Sequence, residues 1–197
     1  MDAAEPVINR PVTGTRPVTG TRTVRWALAA NALSAAWIVL YAIGTFQRLP
    51  GRFPTHFDAA GTPDCWAAGG SSIWFLLPAV AVGMDLLLVS VAFVLPRIPL
   101  KYWNVPSKAE VMALPEPARA PIVRSVTLLL LAEGVICNAL LGAILAMTYE
   151  VATGQAATLN PHVLFAIMGM MVALPIGWTA VFIRGIRRAV SAAQERS

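Results

Sequence analysis

Two acids set inside apolar stretches, Asp85 and Glu133, are the residues of this chain whose placement most asks for a chemical reason. A carboxylate in hydrocarbon is costly, so such acids mark proton relays, cation sites or hydrogen-bonded helix contacts. Helical rise puts Asp85 about ten residues and Glu133 about eight from the same end of their segments, roughly 12 to 15 Å deep, where the two can meet. Two readings follow. As neutral groups sharing a hydrogen bond they act as glue between helices, with Asn31 and Asn138 as further intramembrane polar partners. As groups that change charge they carry a proton or cation, although the broken helices expected of transporters are absent from the sequence.

The second chemically loaded stretch is polar, LPGRFPTHFDAAGTPD from Leu49 to Asp64. Pro50, Pro54 and Pro63 each fix φ and withhold a backbone donor, while Gly51 and Gly61 open turn conformations closed to other residues. The result reads as a shaped loop, with Phe53, Phe57 and Trp66 as its apolar underside and His56, Asp58 and Asp64 as the groups able to meet a ligand, ion or partner. Zinc would accept His56, Asp58, Asp64 and His162, but no His-x-x-x-His spacing supports it. The plainer account bonds His56 to the loop backbone and leaves His162 at a helix start, so no metal and no cofactor is expected. Cys65, in the loop, and Cys137, mid-segment, lie too far apart to pair. With no Ser/His/Asp set and no Gly-rich phosphate loop, the chain is read as not an enzyme. Met168, Met170 and Met171 read as adaptable packing.

The elements that must position these groups are membrane helices. At 57% apolar, 13% charged and mean hydropathy +0.65, the 197-residue chain is too apolar for a soluble domain. Four segments, 26–46, 73–95, 125–149 and 163–183, are long enough to cross hydrocarbon. The expected class is all-α, a four-span bundle with an ordered extracytoplasmic loop over the first two helices. Residues 1–25, with a tandem PVTGTR, read as a disordered basic tail, and 184–197 as a second tail. Thirteen of the fifteen Lys and Arg fall before the first span, between the second and third, or after the fourth. Only Arg48 and Arg52 fall on the other side, which predicts both termini in the cytoplasm. The net charge of +5 thereby reflects orientation, not nucleic-acid binding.

Small residues repeat at four-residue spacing as Ala27, Asn31, Ala35, then Gly134, Asn138, Gly142, Ala146, then Gly169, Ala173, Gly177. They predict close helix contacts in a compact bundle, or dimerisation through one such face. Between the second and third spans, Ser107 and Glu110 have capping-box spacing and predict a short surface helix through Leu114, stopped by Pro115 and Pro117, with Tyr102 and Trp103 at headgroup depth.

The loop also carries a resemblance. Leu49, Pro50, Pro54, His56, Phe57, Gly61, Pro63, Asp64 and Trp66 stand in the register LPxxxPxHFNxxGxPDxWxxK, similar to a bacterial membrane domain of unknown function that also forms the N-terminal part of SdpI-type toxin-immunity proteins. Asp58 stands where that pattern has Asn, and Gly69 where it has Lys. The segment Asn104-Val105-Pro106-Ser107-Lys108 resembles the family's NIPNK, so Asn104, Pro106 and Lys108 are matched too. The resemblance implies a bacterial inner-membrane accessory protein of immunity or signalling type, whose loop binds a membrane or extracytoplasmic protein. A proton-coupled permease component using Asp85 and Glu133, and a structural subunit of a larger complex, are the other classes.

Overall fold

The computed structural model describes residues 22–194, so the PVTGTR repeats and most of the expected basic tail lie outside the described residues. Five α-helices and one β-hairpin follow in order: α1 Arg22–Phe46, β1 Arg52–Phe57, β2 Pro63–Ala68, α2 Leu76–Val94, α3 Lys108–Ala113, α4 Glu116–Ala152 and α5 Pro161–Gln194. Four helical stretches, Arg22–Phe46, Ser72–Arg97, Ala118–Ala152 and Pro161–Arg188, are long and apolar enough to cross a membrane. Each contains one of the four expected segments and runs past it at one end or both.

The class is mainly helical rather than all-α, because the polar stretch pairs with itself as β1 and β2. The antiparallel register sets Arg52 opposite Ala68, Phe53 opposite Ala67 and Phe57 opposite Pro63, and it breaks on both sides of His56. Prolines at 54 and 63 remove two donors from a ladder only six residues long, which keeps the pairing short and irregular.

Each helix of the core presents one stripe inward. Val24, Asn31, Ile38, Ala42 and Thr45 are buried on α1, and Pro78, Ala81, Asp85 and Ala92 on α2. On α4 the buried positions are 127, 131, 134, 138, 142, 145, 148 and 151, in steps of three and four that keep one face toward its partners. Outward positions such as Leu33, Leu40, Leu86 and Leu87 are exposed, as they should be where the surroundings are as apolar as the side chains. Close approach then depends on small residues. A Cβ at Gly142 would stand 2.6 Å from the Trp37 ring and 3.3 Å from Ile38, so glycine lets α1 and α4 touch.

α5 departs from the expected compact bundle. It packs chiefly against α4, and its buried residues Phe182 and Ile186 meet Val111 of α3. Its small residues Gly169, Ala173 and Gly177 are exposed, and a Cβ at either glycine would meet nothing. Four-residue spacing permits close approach; it does not bring a helix to that face.

The capping box is also corrected. α3 forms, but Ser107 sits in the left-handed region at φ 54° and its side chain makes no cap hydrogen bond. Arg119 closes the other end instead, donating to Leu114 O and Met112 O at 2.7 Å each. Pro115 and Pro117 mark the start of α4, whose first residue is Glu116. Tyr102 is exposed, whereas Trp103 is buried and donates to Ile98 O at 3.0 Å.

Gly142→Leu should lower the melting temperature of the detergent-solubilised protein by several degrees, through forced separation of α1 from α4. Gly169→Leu, at an open position, should leave it within about 1 °C. Equal shifts for the two variants would refute this packing.

Candidate functional site

The residues brought together at mid-depth are Asn31 and Ser34 of α1, Asp85 of α2, and Gly134 and Asn138 of α4. Asn31 Nδ2 donates to Ala27 O on its own helix at 2.9 Å and to Leu131 O across the helix contact at 2.8 Å. Asn138 Nδ2 donates to Ser34 Oγ at 2.9 Å and to Asp85 Oδ2 at 3.0 Å, so one amide bridges three helices. Ser34 Oγ donates in turn to Asn31 O at 2.9 Å. Asn31 and Asn138 are each 1% exposed and Asp85 8%. The layer is closed by apolar clusters, with Ile38, Ala42, Ala81 and Leu145 toward the hairpin and Val24, Ala92 and Leu131 on the other side.

Gly134 makes this convergence possible. A Cβ there would lie 2.3 Å from Asn31 Oδ1 and 3.3 Å from Asp85 Oδ1, so both oxygens face the same bare stretch of α4. Asn31, Asp85 and Asn138 are legible in the sequence as polar residues within apolar segments; Ser34 is not, its one signal being its position one turn beyond Asn31.

Asp85 and Glu133 do not share the expected hydrogen bond. Asp85 pairs with Asn138, and Glu133 Oε1 has no partner. Successive helical residues are turned by about 100°, so Glu133, just before Gly134, points off the stripe that meets Asp85. Cys137, one turn after Glu133, and Cys65 in the hairpin are both free thiols.

The hairpin caps one end of the bundle and is clamped at base and tip. Phe53 is buried edge-on against Trp74, with ring centroids 5.5 Å apart, and Trp74 Nε1 donates to Ala42 O at 3.1 Å. Tyr149 closes the same aromatic group from α4. At the tip, Asp58 Oδ1 accepts from Ala60 N at 2.9 Å and Thr62 N at 2.8 Å, a side-chain turn that an Asn oxygen would build equally well. Gly61, at φ +80°, lies against Leu159 of the α4–α5 connection, whose amide donates to Gly61 O at 2.9 Å. Gly69 has its reason too: a Cβ there would fall 2.2 Å from Pro50 O, so a lysine would force the base apart.

Above this frame the hairpin displays an exposed polar pair. His56 Nδ1 and Asp64 Oδ1 are 2.6 Å apart with side chains 66% and 47% exposed, so His56 bonds a side chain rather than the loop backbone. Arg52 lies over the exposed Trp66 ring at 5.7 Å from its centroid. Leu49 and Phe57 are partly buried, Pro54 is buried, and His162 is exposed at the start of α5, where Asn160 Oδ1 accepts its backbone N–H. Among the described residues, no three His, Cys, Asp or Glu side chains gather as a metal site would require. Of the NIPNK-like segment, Val105 packs against the Phe182–Ile186 cluster and Lys108 Nζ donates to Lys101 O.

Residues 33–82 match a domain of unknown function, DUF1648. That span holds the second half of α1, the whole hairpin and the start of α2; of the polar layer it includes Ser34 alone. No curated protein and no solved structure matches the chain.

Asp58→Ala should destabilise the hairpin tip by about 1–2 kcal/mol, while Asp58→Asn should be near neutral. Gly61→Ala should release the Leu159 amide, read as faster hydrogen exchange there. Unchanged exchange at Leu159 in Gly61→Ala would show that the tip is not clamped.

Proposed function

We infer that this is a multi-pass accessory protein of the bacterial inner membrane, of immunity or signalling type, whose hairpin recognises a membrane or extracytoplasmic protein. The observation that carries the reading is the pairing of a frame held at base and tip with an exposed His56–Asp64 couple on it. A preorganised surface of this kind loses little conformational freedom on binding, and Trp66 and Arg52 beside it are side chains favoured at recognition surfaces. The likeness of the Leu49–Trp66 pattern to SdpI-type immunity proteins supports the class.

Charge supports the orientation. Among the described residues, Arg97, Lys101, Lys108, Arg119 and Arg124 fall between α2 and the apolar part of α4, Arg22 and Arg25 begin α1, and Arg184, Arg187 and Arg188 lie toward the end of α5. Arg48 and Arg52 alone accompany the hairpin, which favours the cytoplasm for the first group and the outer side for the hairpin. The permease reading keeps one supporting observation, an unpartnered buried oxygen on each of Asp85 and Glu133, but the two acids do not share a hydrogen bond.

A photo-crosslinking amino acid at Thr55 in intact cells should give a discrete protein adduct, and the same probe at the outward-facing Val172 should give none. His56→Ala combined with Asp64→Ala should remove the adduct while membrane insertion stays normal. No adduct at Thr55, or one indifferent to the double substitution, would contradict partner recognition by the hairpin.

A further inference from the structure

The mid-depth layer contains more acceptors than donors. Asn31 Oδ1, Asp85 Oδ1 and Asn138 Oδ1 are buried without a hydrogen-bond partner. Turning the amides does not help. Asn31 Nδ2 already faces two carbonyls, and turning it would set oxygen against oxygen; Asn138 Nδ2 faces Asp85 Oδ2 and a Ser34 hydroxyl whose proton goes to Asn31 O. The three oxygens come from three helices, and two of them face the bare Cα of Gly134. Acceptors stranded where water cannot reach them are costly, and a single cation satisfies several at once.

We propose that Asn31, Asp85 and Asn138 form a binding site for a small monovalent cation, seated over Gly134 between α1, α2 and α4. The donor set is two amide oxygens and a carboxylate, hard ligands that suit a hard cation. One carboxylate balances one positive charge, whereas a divalent ion would leave net charge in the hydrocarbon. No Lys, Arg or His lies within 26–46, 73–95 or 125–149 to take that place. Glu133 Oε1 is also buried without a partner, but its position beside Gly134 turns it about 100° from the stripe that meets Asp85, and the proposed ligand set leaves it out. Occupancy joins three helices through one ion, so the folded state is linked to the cation's concentration. The site is independent of partner recognition by the hairpin, and its test uses no partner.

The experiment is thermal unfolding of the full chain in nanodiscs, with sodium chloride exchanged for choline chloride at constant ionic strength. The melting temperature should rise by about 3–5 °C for each tenfold increase in sodium above its dissociation constant. Asp85→Asn, which keeps volume and hydrogen-bonding groups, should stay folded and lose the response, and Glu133→Gln should keep it. Gly134→Ala, which fills the space between the oxygens, should abolish it. Sodium-23 NMR of the parent protein reads binding without any variant and should show line broadening that excess protein-free nanodiscs do not. Identical melting in sodium and choline, melting that follows pH alone as a bound proton would make it, a full response in Asp85→Asn, a lost response in Glu133→Gln, or no sodium-23 broadening would each overturn the proposal.

Discussion

The Asn138 side chain, donating at once to Ser34 of α1 and Asp85 of α2, is the contact on which the arrangement of the core depends. Helices surrounded by hydrocarbon gain little from burying leucine against leucine, since lipid offers the same contact; association rests on tight packing and on polar groups that have nowhere else to bond. Asn31 repeats the device by donating to Leu131 O across the α1–α4 contact, and Gly134 and Gly142 bring the backbones close enough for these short bonds to form. The apolar clusters on either side keep the layer dry, which makes each of its hydrogen bonds harder to replace.

The same core carries the hairpin. Ile38, Ala42, Ala81 and Leu145 pack with Phe53 and Trp74, so α1, α2, α4 and the base of the hairpin form one continuous cluster. The hydrogen bond from Leu159 to Gly61 then joins the α4–α5 connection to the hairpin tip. α5 packs along α4 and is further joined by this connection and by the Phe182–Ile186 contact with α3, while the other side of its middle turns carries exposed Met168, Met170, Val172 and Ile176.

Hydropathy made the four long helices legible, because the length of an apolar run is a direct measure of its ability to cross hydrocarbon. The hairpin was not legible: Pro54, Pro63 and three glycines between 51 and 69 read as loop residues, and six-residue strands with broken register show no alternation. The small-residue rule succeeded on α4, where α1 lies against Gly134 and Gly142, and failed on α5, where the same spacing at Gly169 and Gly177 faces no helix. Residue counts give the depth of Asp85 and Glu133, but contact also needs a matching rotation about the helix axis, which Asn138 supplies to Asp85. Ser107 failed as a cap because a left-handed backbone there withdraws its side chain from the first turn of α3.

The central claim is that the Asp85–Asn138 contact holds α2 to α4, and a double-mutant cycle tests it most directly. Unfolding free energies in bicelles would be compared for the parent, Asp85→Ala, Asn138→Ala and the double variant. A favourable coupling of about 0.5–1.7 kcal/mol is the predicted result. Additivity of the two single effects to within about 0.3 kcal/mol would contradict it.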